Sequence, residues 1–197
     1  MDIKLLFVGL TFVIGTASFF PYIRDVYRLK TKPHIYTWLI FTLISLAVAI
    51  ISFFHGGGLG TLGILYGTAL NAVVTVLALR YGTHNITRSD TALMLSALAA
   101  LCVWLFLRDP LVTIMLITAI RAVSYIPTIR KSYGHPWDET LISWIGFTIG
   151  NICTIASFTS YNLLTLTNIV TISILNIVVV IECLLRRRVV PNPRKAH

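Results

Sequence analysis

One arginine and four asparagines lie inside long apolar stretches of this 197-residue sequence, where such strongly polar side chains are rarely expected. One is the cation Arg121, and the others are the amides of Asn71, Asn151, Asn168 and Asn176. A guanidinium carries a permanent charge and five N–H donors, so Arg121 could bind a carboxylate or a phosphate group. Amides donate and accept hydrogen bonds and suit hydroxyl or carbonyl groups. The pattern predicts that these five residues bind a small polar ligand.

A structural role for the same residues remains open. In hydrocarbon an amide or a guanidinium needs partners, and neighbouring helices often supply them. Asn168 and Asn176 are eight residues apart, which places them on one helical face, with Asn151 on the preceding helix. Either a solute site or a set of contacts between helices would explain this grouping.

Catalytic and metal-binding patterns are missing from the sequence. Cys102, Cys153 and Cys183 are isolated in apolar stretches, so they indicate neither a disulfide framework nor a metal site. No catalytic triad, phosphate-binding lysine loop or metal-binding helix can be recognised. Glu182 has Arg186 four residues later, a spacing that predicts an ion pair instead of a proton-coupling site. We therefore expect a protein that is not an enzyme and that uses no cofactor or metal.

The apolar stretches themselves predict helices that cross a membrane. Hydrophobic residues make up 56% of the chain and charged residues 12%, and the mean hydropathy is +0.84. A soluble domain of this size could not bury so much apolar surface. A helix needs roughly 20 apolar residues to cross about 30 Å of hydrocarbon. Seven segments qualify: 3–23, 35–54, 59–79, 91–107, 110–129, 140–160 and 163–185. A count of six remains open because the fourth and fifth almost touch, although Pro110 suits the first turn of a new helix.

The basic residues predict how the chain is oriented. All of the 16 Lys and Arg residues except Lys4, Arg108 and Arg121 fall in four clusters that seven spans place on one face. The positive-inside rule then puts the C-terminus in the cytoplasm and the N-terminus outside, and the expected location is the plasma membrane. The basic tail, 189–197, anchors this topology and can contact anionic lipid. The net charge of +9 is therefore not taken as a sign of nucleic-acid binding.

An internal repeat with an offset of 106 residues runs through the chain. In this register SFFPYIR (18–24) aligns with SYIPTIR (124–130). The same register, without a gap, aligns three further pairs of aromatic residues: Tyr27 with Tyr133, Trp38 with Trp144, and Phe41 with Phe147. Proline, arginine and tryptophan are rare inside membrane spans, so their coincidence indicates a true repeat.

The repeat predicts an all-α membrane protein made of two three-helix units. The units are 1–81 and 107–188, and a single linker helix, 90–107, lets both run in the same direction through the bilayer. Parallel repeats of this kind usually hold their substrate path between them. Pro21 and Pro127 occupy the same position in the two units, and each removes a backbone hydrogen bond. Paired kinks at these prolines could act as hinges of a cytoplasmic gate.

This 3+1+3 arrangement, with a proline near the inner end of each unit's first helix, resembles the SWEET sugar transporters and the wider PQ-loop superfamily. SFFPY (18–22) and SYIPT (124–128) look like the family's motif around Pro-Gln. TNIVTI (167–172) is similar to the family's third-helix segment, in which an asparagine contacts the substrate, and Asn168 matches that asparagine. The resemblance implies a facilitative transporter that moves a sugar by alternating access between two bundles.

The residues also allow other solutes and another class of protein. The position after each proline is Tyr22 or Thr128 instead of glutamine. An anionic or zwitterionic solute such as an amino acid, bound by Arg121, is the second interpretation. The third is a seven-helix receptor similar to the KDEL receptor, and a nucleoside-precursor transporter is the fourth. All four involve the lipid bilayer and a small partner, and the sequence is compatible with a homo-oligomer.

Overall fold

The structure of the protein is a computed structural model that describes residues 3–82, 86–107 and 109–192. Across these ranges it is all-helical and contains no strand, as the sequence predicts. The α-helices are α1 (Ile3–Tyr27), α2 (Ile35–Phe54), α3 (Gly60–Tyr81), α4 (Arg88–Leu107), α5 (Pro110–Ser124), α6 (Ile126–Gly134), α7 (Leu141–Ser157) and α8 (Leu163–Val189), with a short 3-10 helix at Pro136–Asp138. Arg108 and the end of the basic tail, 193–197, lie outside the described residues.

Five segments within these ranges are long and apolar enough to cross a membrane: Ile3–Tyr27, Ile35–Phe54, Gly60–Tyr81, Pro110–Gly134 and Leu163–Val189. Thr91–Ala100 and Leu141–Ser157 are shorter apolar helices in the positions of the fourth and sixth predicted spans. Large apolar side chains stay exposed along the helices; Phe20 and Phe53 are both 67% exposed. Apolar surface of this kind fits an integral membrane protein, because lipid can cover it.

Polar caps in the sequence set the starts of α5 and α8. Asp109 Oδ1 accepts hydrogen bonds from the backbone N–H groups of Leu111 and Val112, at 2.9 and 3.1 Å, and Pro110 begins the helix. The side chain of Asn162 accepts from two N–H groups at the start of α8 in a capping box. Such caps satisfy N–H groups that have no partner within the helix.

The two repeat-related prolines differ in their effect on the backbone. α1 continues through Pro21 without a break. In the second unit, α5 ends at Ser124 and α6 begins at Ile126, with Tyr125 in a turn between them. Pro127 has no N–H to donate to the carbonyl oxygen of Val123 four residues earlier, so the interruption at Tyr125, whose own backbone dihedrals stay helical, has a local cause.

The helices pack in an equivalent way in the two halves of the chain. α3 packs against both α1 and α2, and α8 packs against both α5 and α7. The most extensive contact between the halves is between α1 and α7, where Gly146 faces Ser18 without an intervening side chain. α4 packs on α5 and α2, next to an aliphatic core that includes Ile44 and Ile117.

Candidate functional site

A cavity of about 120 Å³, with a largely apolar wall that includes several polar side chains, lies among α1, α2, α3, α5, α7 and α8. All five residues predicted to bind a solute line it: Arg121, Asn71, Asn151, Asn168 and Asn176. These residues come from four different helices, so the packing brings together what the sequence spreads over more than 100 residues. No acidic side chain is among the described residues that line this cavity. We call it the central cavity.

Arg121 is held in the cavity wall by few contacts. It is only 4% exposed, and its Nη1 donates a hydrogen bond to Ser45 Oγ at 2.9 Å. The guanidinium carbon lies 4.9 Å from the centre of the Phe41 ring, within the range of a cation–π contact. Its Nε is buried and has no hydrogen-bond partner, and no carboxylate pairs with Arg121 in the described part of the chain. The central cavity is therefore electropositive.

The amides bridge helices and keep unused hydrogen-bonding capacity. Their bonds within the described residues are Asn71 Nδ2 to Ser45 Oγ (3.4 Å), Asn168 Nδ2 to Thr118 Oγ1 (3.2 Å) and Tyr125 Oη to Asn176 Oδ1 (2.8 Å). Asn151 is half-buried, and its side chain forms no hydrogen bond in those ranges. A primary amide has two donors and two acceptor positions, so each of the four can bind a further group.

Six aromatic side chains border one side of the central cavity. They form three pairs in the repeat register: Phe19 with Tyr125, Trp38 with Trp144, and Phe41 with Phe147. The rings contact each other across the two halves of the chain, with ring centres 4.5 Å apart for Phe19 and Phe147 and 5.1 Å apart for Phe41 and Tyr125. We call this group the aromatic layer.

A second cavity, of about 210 Å³, lies beyond the aromatic layer. Trp38, Phe41 and Trp144 line both cavities, so these rings lie between the two. The wall of the second cavity carries the cations Lys32, Arg130 and Lys131 together with the buried carboxylate of Glu139. This is the side of the molecule on which the basic clusters lie, and we call it the basic vestibule.

Hydrogen bonds tie the two halves of the chain together at both ends. On the side of the basic vestibule, the hydroxyls of Thr31 and Thr140 are 2.9 Å apart, and Thr140 donates to Asp25 Oδ2 at 3.0 Å. At the opposite end, Ser160 N donates to Gly56 O at 3.0 Å. The central cavity is thus enclosed between two sets of contacts that join the halves.

Two groups of predicted residues lie away from the central cavity. Pro21 does not line the central cavity, and the structure does not describe the side chain of Pro127. The prediction of an ion pair between Glu182 and Arg186 is wrong. Glu182 accepts a hydrogen bond from Ser132 Oγ at 2.9 Å, and Arg186 Nε donates to the carbonyl oxygen of Tyr133 at 2.8 Å. The sequence spacing could not show that α6 supplies better-placed partners to both residues.

In the ranges that the structure describes, no group of three or more His, Cys, Asp or Glu side chains could hold a metal ion. Comparisons of the chain with protein-family models, with curated proteins and with solved structures found no match. The geometry of the central cavity, the aromatic layer and the basic vestibule is therefore the basis for inferring a function.

Proposed function

We propose that the protein is a facilitative transporter that moves a small polar solute across the membrane by alternating access. One observation carries the proposal: a cavity that lies between helices from both halves of the chain, with one arginine and four asparagines in its wall, is separated from a second cavity by a layer of repeat-related aromatic rings. A solute held in the central cavity would have to pass these rings to reach the basic vestibule.

The transporter has seven membrane spans in this proposal, with α5 and α6 forming one broken span. The units 1–81 and 107–188 act as two parallel three-helix bundles, and α4 is the linker between them. The equivalent packing of α3 and α8 within their units supports this division. The shorter helices α4 and α7 cross as the fourth and sixth spans. Basic residues then face the cytoplasm at the vestibule, in the orientation that the positive-inside rule favours.

The transport cycle exposes the central cavity first to one side and then to the other. Movement of one bundle against the other separates the contacts at one end while those at the opposite end hold. The break at Tyr125 and the prolines Pro21 and Pro127 are the hinge positions in this cycle, because missing backbone hydrogen bonds make a helix easier to bend. The plasma membrane is the proposed location.

The resemblance to the SWEET and PQ-loop transporters supports the same mechanism. Asn168, which matches the family's substrate-contacting asparagine, lines the central cavity and is 2% exposed. A sugar is the solute that the resemblance favours. The cavity volume of about 120 Å³ is below the roughly 300–1,000 Å³ of pockets that hold drug-sized ligands, so the solute is small.

Flux into liposomes tests the proposal. The purified full-length chain is reconstituted, and uptake of labelled sugars, amino acids and short carboxylates is followed against protein-free liposomes. We expect saturable uptake of at least one solute, driven only by its own gradient. Binding of a solute without any uptake would contradict the transporter and favour a receptor similar to the KDEL receptor.

A further inference from the structure

We infer that the solute is a small monocarboxylate whose carboxylate group binds the guanidinium of Arg121. This inference rests on the proposed transport function for the size and the route of the ligand, but the site itself is argued from the contacts of Arg121. It favours a carboxylate over the sugar that the family resemblance implies.

The charge of the central cavity is the first observation. Arg121 is the one formally charged side chain among the described residues of its wall, and no carboxylate pairs with it there. A charge removed from water without a counter-ion is destabilising, and a mobile anion in the cavity would supply that counter-ion. A ligand with a single negative charge would make the cavity neutral.

The free edge of the guanidinium is the second observation. Nη1 is occupied by Ser45, whereas Nε has no hydrogen-bond partner and Nη2 forms no hydrogen bond in the part of the chain that is described. Nε and Nη2 lie along one edge of the planar group and donate in parallel. That edge matches the two oxygens of a carboxylate, which is the geometry of the strong bidentate pair.

The rest of the wall favours a monocarboxylate over other anions and over zwitterions. A phosphate monoester brings about 1.5 to 2 negative charges at neutral pH, more than one guanidinium neutralises. The ammonium group of an amino acid would lie in the same small cavity as Arg121 with no carboxylate to pair with. The four asparagines instead offer donors and acceptors for a hydroxyl or a carbonyl group, and Ile169 and Ile172 offer apolar contact for a short carbon skeleton.

Binding is measured with matched probes on the purified full-length protein. Acetate, propionate, pyruvate and lactate are titrated while the fluorescence of the tryptophans is followed, since Trp38 and Trp144 line the cavity. Lactamide replaces the carboxylate of lactate by a neutral amide, alanine adds an ammonium group, and chloride tests for a simple inorganic anion. We expect the fluorescence change to saturate with at least one of the carboxylates. The corresponding amide should bind about ten- to hundredfold more weakly, as loss of a charge-assisted hydrogen bond predicts.

Variants at two arginines separate the site from general effects of charge. Arg121→Gln should abolish the preference for the carboxylate over its amide, and Arg121→Lys should keep part of it, because a lysine retains the charge without the planar edge. Arg188→Gln removes an exposed cation far along α8 and should bind like the wild type. The carboxylate-to-amide ratio is measured on the wild-type protein, so the test holds even if Arg121→Gln does not fold.

The outcomes distinguish this inference from the proposed function. Saturable uptake of a sugar without binding of any carboxylate would overturn the monocarboxylate and leave the transporter intact. Arginine-dependent binding of a carboxylate without uptake of any solute would support the site and contradict transport. Equal binding of lactate and lactamide, equal binding by Arg121→Gln, chloride competing as well as a carboxylate does, or no binding across the series would each overturn the inference.

Discussion

Trp144 donates its indole N–H to the buried carboxylate of Glu139, with 3.0 Å between Nε1 and Oε2. The other oxygen of Glu139 is 2.7 Å from Nζ of Lys131, so the carboxylate both orients the ring and carries a compensated charge. The repeat-related Trp38 donates instead to the hydroxyl of Tyr22, at 3.2 Å. The two tryptophans of the aromatic layer are thus fixed by different chemistry.

Removal of the Glu139 carboxylate should therefore destabilise the protein through its contacts with Trp144 and Lys131. Glu139→Ala leaves the indole N–H of Trp144 without an acceptor and Lys131, whose side chain is 31% exposed, without its ion-pair partner, at a cost of about 1–3 kcal/mol. Glu139→Gln keeps an acceptor for Trp144 and should cost less. Thermal unfolding in detergent measures both, and the neighbouring Asp138→Ala is the matched control. Equal midpoints for Glu139→Ala and Asp138→Ala would refute the assignment.

The aromatic layer should limit access from the basic vestibule to the central cavity. Gly67 lines the central cavity, and a Cβ atom added there contacts nothing within 4 Å, so Gly67→Cys is a tolerated reporter. In a background without the native cysteines, an impermeant thiol reagent on the vestibule side should label it slowly. Adding Trp38→Ala and Trp144→Ala should speed this labelling several times.

A cysteine on the near side of the aromatic layer is the control for that experiment. Thr37 lines only the basic vestibule among the two cavities, so Thr37→Cys should be labelled at a similar rate with and without the tryptophans. If the tryptophan substitutions increased the labelling rates of Gly67→Cys and Thr37→Cys by the same factor, they would be loosening the structure in general. The aromatic layer would then not be the barrier.

Asn168→Ala should reduce the rate of uptake even when equal amounts of folded protein are compared. The substitution removes an amide from the cavity wall and leaves the hydroxyl of Thr118 without its partner, at a cost of about 1–3 kcal/mol. Thr167→Val is the matched control, because the Thr167 hydroxyl bonds only to Leu163 O of its own helix. Uptake at equal amounts of reconstituted protein is the measurement. Equal uptake by the two variants would remove Asn168 from the binding site.

The close contact of α1 and α7 should not tolerate a methyl group at Gly146. A Cβ atom there would overlap the side chain of Ser18, and overpacking typically costs about 1–3 kcal/mol. Gly9→Ala, on the open side of α1, meets nothing within 4 Å and should leave the unfolding midpoint unchanged or raise it. Adding Ser18→Gly to Gly146→Ala should restore stability. If the double variant remained as unstable as Gly146→Ala, the contact would not be the cause.

The seven-span topology predicts opposite locations for two exposed positions. In the background without native cysteines, Tyr161→Cys should react with an impermeant reagent added outside the cell, and Arg188→Cys should react only after the membrane is opened. Both residues are exposed, so accessibility differs only through the membrane. Reaction of both from the same side would require an even number of spans between them, and the proposed topology would fail.

The helices and the polar residues of the central cavity were predictable for different reasons. The predicted segment 35–54 matches α2, and 163–185 matches most of α8, because runs of apolar residues bounded by polar ones leave little choice of structure. Polar residues inside such runs have to avoid lipid, which is why Arg121 and the four asparagines converge on one cavity. The segment 110–129 is predicted as one helix with a kink at Pro127, and the structure interrupts it at Tyr125, two residues earlier, because Pro127 has no N–H for the carbonyl oxygen of Val123.

The partners of these residues could not be predicted from the sequence. Ser45 is 76 residues from Arg121 and Thr118 is 50 residues from Asn168, and nothing local to either pair indicates the contact. Such pairs depend on how α2, α5 and α8 rotate about their axes when they pack. The structural role of Glu139 could not be predicted for a similar reason. In the sequence it is an ordinary loop carboxylate, and only the fold brings Lys131 and Trp144 into contact with it. The repeat register aligns the six aromatic residues in pairs, but the sequence does not show that their rings lie between two cavities.

The position of Tyr125 has a consequence for how tightly the proposed carrier would couple occupancy to movement. This one residue marks the break between α5 and α6, contributes a ring to the aromatic layer, and donates its hydroxyl to Asn176 in the cavity wall. A solute that takes the carbonyl oxygen of Asn176 must displace that hydroxyl, so an occupied cavity and an empty one hold Tyr125 differently. Tyr125→Phe would remove only this hydrogen bond. We expect the resulting carrier to change between its two orientations even when no solute is bound.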